Sequence, residues 1–196
     1  MKISIISSSH RFKSQSSRVS KIFKNLIHKK NGLINIANID LSEQNLPLWS
    51  ENQNIEIKKI WKKNSENLLS SDAFIAVVPE YGGMATPVIK NFFLYCNNGE
   101  LTHKPGLLVS ISSGNGGAYP IAELRSSSYK NTHIMWIPEN IIIRNVEEFN
   151  PGFHGKNIPE WLDNRINYVL NLLLVYASNM KPLRKIVNRK DFGNGM

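Results

Sequence analysis

Three times in this chain a short apolar run stops at a loop of small and polar residues, and a helix-patterned segment starts directly after it. Ile3-Ser4-Ile5-Ile6 breaks into Ser7-Ser8-Ser9-His10-Arg11. Ala73-Phe74-Ile75-Ala76-Val77-Val78 breaks into Pro79-Glu80-Tyr81-Gly82-Gly83, followed by Thr86-Pro87-Val88-Ile89-Lys90-Asn91. Leu107-Leu108-Val109-Ser110-Ile111 breaks into Ser112-Ser113-Gly114-Asn115-Gly116-Gly117. A strand, a polar loop and a helix in repeated succession build an open α/β sheet, whose ligands sit beyond the carboxyl ends of parallel strands.

The rest of the chain fits the same alternation. Residues 2–8 predict the first strand. Residues 16–30 predict a helix, with Val19, Ile22, Phe23, Leu26 and Ile27 at helical spacing and Gly32 as its stop. Strand two is expected at 33–40, a helix at 55–69, strand three at 73–79, a helix at 87–97, strand four at 106–112 and a helix from about 119. Strand five is placed at 133–137, ending at Pro138, and the last helix at 158–178. Right-handed crossovers leave few topologies, and the favoured strand order is 2-1-3-4-5, with helices on both faces. That order sets the loops after strands one, three and four side by side. Residues 139–157 read as an excursion. The basic tail 179–196 reads as a flexible end or an arm onto a partner, leaving 1–178 as the single domain.

Bulk properties narrow the classes. With 196 residues, 41% of them hydrophobic and 20% charged, the chain has the makeup of one ordinary globular domain. The longest apolar candidate, Val169 to Ala177, is interrupted by Asn171 and falls short of the ~18 residues a membrane helix needs. The N-terminus lacks signal-peptide architecture. Cys96 is the single cysteine, so no internal disulfide or cysteine metal cluster is expected, and a reducing, cytoplasmic setting is the simplest inference. The net charge of +9 invites a nucleic-acid reading, but the basic residues are spread over the helices rather than gathered with aromatics. The charge is read as a solvated surface that still attracts anionic cofactors.

The first loop, Ser9-His10-Arg11-Phe12-Lys13-Ser14-Gln15-Ser16, precedes a helix N-terminus, where free amides and the helix dipole favour an anion. Ser9, Ser14 and Ser16 offer hydroxyls, and Arg11 a planar fork suited to phosphate oxygens. The loop lacks the glycine pattern of a dinucleotide site and the Gly-Lys-Ser/Thr of a nucleotide P-loop, so a phosphomonoester fits better than a pyrophosphate. Serines of this kind are also ordinary turn and cap residues. In the second loop, two glycines permit close backbone approach to a flat ligand, and Thr86-Pro87 reads as a helix cap. The small residues of the third loop imply close approach to a ligand or another chain, or a flexible turn. No Ser-His-Asp or metal constellation is evident. Cys96 and Trp136 read as core residues, and His103 and His133 as lying at the opposite edge of the sheet.

At these loops the sequence resembles the NADPH-dependent FMN reductase family of flavodoxin-like proteins, over roughly residues 2–178. Ser9, Arg11 and Ser14 match its Ser-x-Arg-x-x-Ser loop, with Ser16 as a further small polar residue. Pro79-Glu80-Tyr81 with Ile89-Lys90-Asn91 matches its second signature, and Ser113-Gly114 with Gly116-Gly117 its third. Ser8 stands where the family often has Gly, and Gly82 where it often has Asn.

The resemblance implies a flavodoxin-like three-layer sandwich and an FMN-dependent oxidoreductase. Its phosphate would be held by Ser9, Arg11, Ser14, Gln15 and Ser16. Its ring would be lined by Pro79, Glu80, Tyr81, Gly82, Ser112, Ser113, Gly114 and Gly117. It further implies NADPH or NADH as hydride donor, a quinone, azo compound, flavin or similar small acceptor, and self-association as a dimer or tetramer. Phe92, Phe93 and Tyr95 span most of the circumference of the third helix and so read as candidate interface aromatics. Two other readings belong to the same fold. A flavodoxin-type electron carrier would be expected to show an acidic surface and a Thr-Gly loop. A flavin-less interaction protein would not need Arg11 or Pro79-Glu80-Tyr81.

Overall fold

The computed structural model of the chain describes residues 1–44, 46–151 and 158–187. Its order is β1 (Lys2–Ser7), α1 (Gln15–Lys30), β2 (Asn35–Asp40), α2 (Ile55–Leu69), β3 (Ala73–Tyr81), β4 (Met84–Ala85), α3 (Pro87–Tyr95), β5 (Pro105–Ile111), α4 (Ala118–Ser126), β6 (Met135–Ile143) and α5 (Glu160–Ile186). The sheet runs β2-β1-β3-β5-β6, all parallel, and β4 folds back antiparallel on β3. Leaving that short hairpin aside, the five parallel strands stand in the expected order.

Central strands are apolar on both faces because both are covered. Ile3, Ile5, Ile75 and Val109 pack toward α1 and α5. Ile6, Phe74, Ala76 and Leu108 pack toward α3 and α4. Gly106 makes room on the second face: a Cβ there would stand 2.5 Å from Phe74 Cζ and 2.8 Å from Trp136 Cε3. The Phe74 and Trp136 rings, 5.3 Å apart, close over the space a side chain would fill.

Three expectations need correction. Strand five does not end at Pro138; it runs through it as β6. The register passes from Gly106–Trp136 to Leu108–Asn140, so Pro138 sits in an irregularity of an edge strand, where no amide is owed to the ladder. The last helix does not end at 178 but continues to Ile186 over Pro182. Its final turns are anchored by Asp72, which takes Arg184 at 3.2 Å and Lys181 at 3.3 Å. Of the excursion and tail, residues 152–157 and 188–196 lie outside the described residues. Finally, Phe92, Phe93 and Tyr95 are buried within the subunit rather than free for an interface. Trp61 of α2 covers Phe92 at 5.3 Å and Tyr95 at 5.2 Å, the Tyr95 hydroxyl donates to the Pro47 carbonyl, and Trp136 meets Phe93.

Cys96 is fully enclosed at the end of α3, and burial pushes its thiol well above its ordinary range. Its neighbour Lys104 is buried with its ammonium donating to the Leu68 and Leu69 carbonyls, which end α2. Burial, with Arg184 repelling it, lowers the Lys104 pKa from 10.5 to about 8, against the opposite pull of Asp72, Glu100 and Cys96. Between about 8 and 10.5 the unfolded chain therefore holds a proton that the folded chain has released. More protons bound in the unfolded state means that stability from this group rises with pH across that window and is flat below it. The raised Cys96 thiol acts oppositely at alkaline pH. The difference in urea stability between the wild type and Lys104→Met isolates the lysine; it is expected to move in favour of the wild type from pH 8 to pH 10. A pH-independent difference would contradict the assignment.

Among the described residues, no helix is long and apolar enough to cross a membrane.

Candidate FMN site

The carboxyl ends of β1, β3 and β5 meet at a cavity of about 300 Å³. Arg11, Ser14, Gln15 and Ser16 form one wall, Pro79, Glu80 and Tyr81 the second, and Ser112 and Ser113 the third. Val146 and Glu147, from the turn after β6, close the side. Nine of the thirteen candidate residues thus converge, and the other four border these loops.

The first wall is a helix start. Ser14 caps α1, its hydroxyl accepting the Ser17 amide at 3.1 Å, while the Arg18 amide donates to the Ser14 carbonyl. The amides of Gln15 and Ser16 come earlier in the helix than any intrahelical acceptor, and both residues line the cavity. The Ser14 and Ser16 hydroxyls lie 2.8 Å apart. Ser9 is fully buried; its hydroxyl accepts the Arg11 amide at 2.9 Å and pairs with the Tyr81 hydroxyl at 3.0 Å. The Arg11 side chain is left exposed at the mouth. His10 is exposed and meets Tyr81 edge-on, with ring centroids 5.5 Å apart. Amides, hydroxyls and a guanidinium converging on a helix N-terminus make a donor set suited to a phosphate monoester.

The glycines of the second loop serve its own turn. Glu80 pairs with Ala85 and Tyr81 with Met84, leaving Gly82 and Gly83 as a two-residue hairpin turn with φ of 58° and 73°. Positive φ at both positions is the primed turn that strand twist favours, and it requires glycine-like residues. Thr86 does stand at the cap of α3, but its hydroxyl donates instead to the Ser8 carbonyl at 2.6 Å, tying the second loop to the first.

The third loop is equally constrained from within. Glu80 Oε2 accepts the Gly117 amide at 2.7 Å. A Cβ on Gly116 would fall 2.6 Å from Glu80 Oε1, and one on Gly117 would fall 2.6 Å from Ile142 Cγ2. The close approach inferred from this loop is therefore made by Glu80 and Ile142 of the same chain. Gly114 is different: nothing lies within 4 Å of where its Cβ would be, although its amide donates to Ser112 Oγ at 3.2 Å and its carbonyl accepts the Asn145 amide at 3.1 Å.

Several residues that carry the site were not singled out, or were singled out without a role. Arg18 donates to Gln15 Oε1 and Phe149 O at 2.6 Å and to the Val146 carbonyl, clamping the fourth wall to α1. Burial lowers its pKa, opposed by the charge of Glu147. Arg144 Nε donates to Gly116 O at 3.1 Å. Lys90 ion-pairs with Glu123, whose other oxygen takes the Ala85 amide at 2.7 Å. Burial raises the Glu123 pKa, but the Lys90 hydrogen bond, the Ala85 amide and the Lys90 charge outweigh it and leave it below the usual range. Asn91 holds the Trp49 amide and the Pro47 carbonyl, both at 2.8 Å. The Lys-Asn pair of the second signature thus braces the hairpin and the loop above α3. The signal for Arg18 was absent from sequence because its carbonyl partners lie 131 and 128 residues away.

A family model described as NADPH-dependent FMN reductase matches residues 1–148. The chain belongs to this family. As an FMN reductase it is an oxidoreductase that uses FMN, with NAD(P)H as hydride donor. No curated protein sequence matches it. Among solved structures it is similar to FerB from Paracoccus denitrificans, described as a flavoenzyme NAD(P)H:(acceptor) oxidoreductase: TM-score 0.74, 18% identity, covering 91% of this chain and 98% of that one. It is also similar to an oxidoreductase from Corynebacterium diphtheriae, with TM-score 0.70 and 15% identity over 91% of this chain and 97% of that one. A third, the apo form of the NADH:FMN oxidoreductase EMOB, has TM-score 0.71 and 12% identity over 91% of this chain and 89% of that one. At these identities the likeness establishes the flavodoxin-like fold. The donor set of the first loop fits the phosphate of the FMN that the family uses.

Proposed function

We propose that this FMN reductase delivers electrons from NADPH or NADH to a small diffusible acceptor: a quinone, an azo compound, a flavin or a compound of similar kind. The observation that carries the reading is the convergence of Arg11 and the α1 N-terminus with the Pro79–Tyr81 and Ser112–Ser113 walls around one cavity. Arg11, Ser14, Gln15 and Ser16 would hold the FMN phosphate, with Ser9 positioning the Arg11 backbone. Pro79, Glu80, Tyr81, Gly82, Ser112, Ser113, Gly114 and Gly117 would border its ring. When bound, FMN supplies the two-electron chemistry. The protein fixes the walls through Glu80, Thr86 and Arg18, and leaves Phe12 exposed at the cavity and Met84 and Tyr119 exposed beside the Gly82–Gly83 turn, a rim of apolar groups on which a flat reactant would rest.

Donor and acceptor would use this one rim in turn. Initial rates with NADPH and a quinone, measured over a grid of both, are expected to give parallel double-reciprocal lines. Intersecting lines would mean that both reactants bind together and would refute the shared rim. We further place the enzyme in the cytoplasm and expect it to work as a homo-oligomer. Nucleic acid and membrane are not among its proposed partners.

A further inference from the structure

A second cavity, of about 730 Å³, opens at the edge of the sheet between α1 and α2. Among the described residues β2 pairs with β1 alone, so its outer edge is uncovered. α2 packs the other way, through Trp61 onto Phe92 and Tyr95 of α3, and of its 15 residues only Asn64 and Leu68 are buried. Lys59, Lys63 and Asn67, spaced four apart, form the stripe of α2 that lines the cavity. Ser20 and Lys21 of α1 line it from the other helix. The strand register sets Ser7 of β1 beside Asp40 of β2, and both belong to the lining.

Two features of this lining point to a ligand. Ser7 and Ser20 are only 2% and 4% exposed, and neither hydroxyl has a hydrogen-bond partner among the described residues. A buried hydroxyl left unmatched costs stability, so two of them at one cavity call for a polar occupant. Lys21, Lys59 and Lys63 are exposed, and none forms an ion pair among the described residues. Lys59 and Lys63, at i and i+4, repel each other unless an anion lies between them. Two carboxylates, Asp40 and Glu43, share the lining. Asp40 accepts the Ser42 amide at 3.0 Å and the Ser42 hydroxyl at 2.8 Å, both through Oδ1, and Oδ2 remains. We propose that this cavity binds a sugar phosphate, its hydroxyls against Ser7, Ser20 and Asp40 and its phosphate against the lysines. A sugar hydroxyl donates to a carboxylate and accepts from a serine at once, and a phosphate takes several ammonium donors. The site goes beyond the oxidoreductase reading, and it shares no lining residue with the FMN cavity.

Titration calorimetry with ribose 5-phosphate, glucose 6-phosphate and glycerol 3-phosphate tests this, with FMN in excess so that the α1 N-terminus is not the site observed. At least one of the three is expected to bind saturably, at one equivalent per chain. Ribose or glucose alone and inorganic phosphate alone are expected to bind at least tenfold more weakly. Lys59→Ala/Lys63→Ala is expected to weaken the sugar phosphate tenfold or more, and Ser20→Ala several-fold, while NADPH still bleaches the flavin in both variants. Should Ser20→Ala fail to fold, the lysine variant decides, because both of its positions are exposed. No saturable binding of any of the three, unchanged affinity in the lysine variant, or inorganic phosphate binding as tightly as the sugar phosphates would each overturn the proposal. Failure of the flavin to bleach would count against the oxidoreductase reading and not against this site.

Discussion

Arg11→Ala is expected to weaken FMN binding by roughly tenfold to more than a hundredfold while leaving the fold intact. The guanidinium stands at the mouth of the cavity, and its exposure means that no packing is lost with it. A charge-assisted hydrogen bond removed from one partner costs about 1.5–3 kcal/mol, which sets the range in affinity. Arg11→Lys keeps the charge but loses the fork, and should fall between the two. Titration of FMN by fluorescence quenching reads all three. Riboflavin, which lacks the phosphate, should bind wild type and Arg11→Ala alike. Equal FMN affinity in wild type and alanine variant would remove the phosphate from this loop.

The largest effect on stability is expected at the centre of the sheet. Phe74→Ala deletes a fully buried ring that packs on Trp136 and over Gly106. Aromatic deletions of this kind cost about 3–5 kcal/mol. Gly106→Ala acts from the other side of the same contact. Its new methyl would overlap two aromatic rings, and overpacking of this kind typically costs about 1–3 kcal/mol. The two changes should not add: in the double variant the methyl enters space that the lost ring vacates. Gly106→Ala is therefore expected to cost less in the Phe74→Ala background than in the wild type. Urea unfolding of the four proteins measures the coupling. Strict additivity would mean that the ring and the glycine do not share that space.

The parallel strands were legible because they are buried on both faces and so appear as unbroken apolar runs, as in Ala73 to Val78. The helices α1 and α2 were legible from spacing and caps. What stayed hidden depended on distant partners. Pro138 reads as a strand end, yet β6 carries on because the irregularity opposite Leu107 accommodates it. Residues 179–196 read as a basic tail, yet Asp72, more than a hundred residues earlier, holds Lys181 and Arg184 and the helix runs on to Ile186. The candidate site was legible as three loops that meet at one cavity, but the intramolecular contacts of their residues were not. Gly82 and Gly83 serve a hairpin turn. Gly116 and Gly117 yield to Glu80 and Ile142, and Ser9 is buried, with its hydroxyl accepting the Arg11 amide. Glycine in a sequence announces that something comes close or that φ is positive, and only the fold says which.

FMN bound at the convergence of three loops, and reduced there by NAD(P)H, has a visible signature. The most direct measurement is the visible absorption spectrum of the FMN-loaded protein under argon, before and after addition of NADPH or NADH. An oxidised flavin band is expected to co-purify or titrate with the protein at one equivalent per chain and to bleach on adding either nucleotide. A protein that takes up no FMN, or one whose bound flavin stays oxidised with both nucleotides, would contradict it.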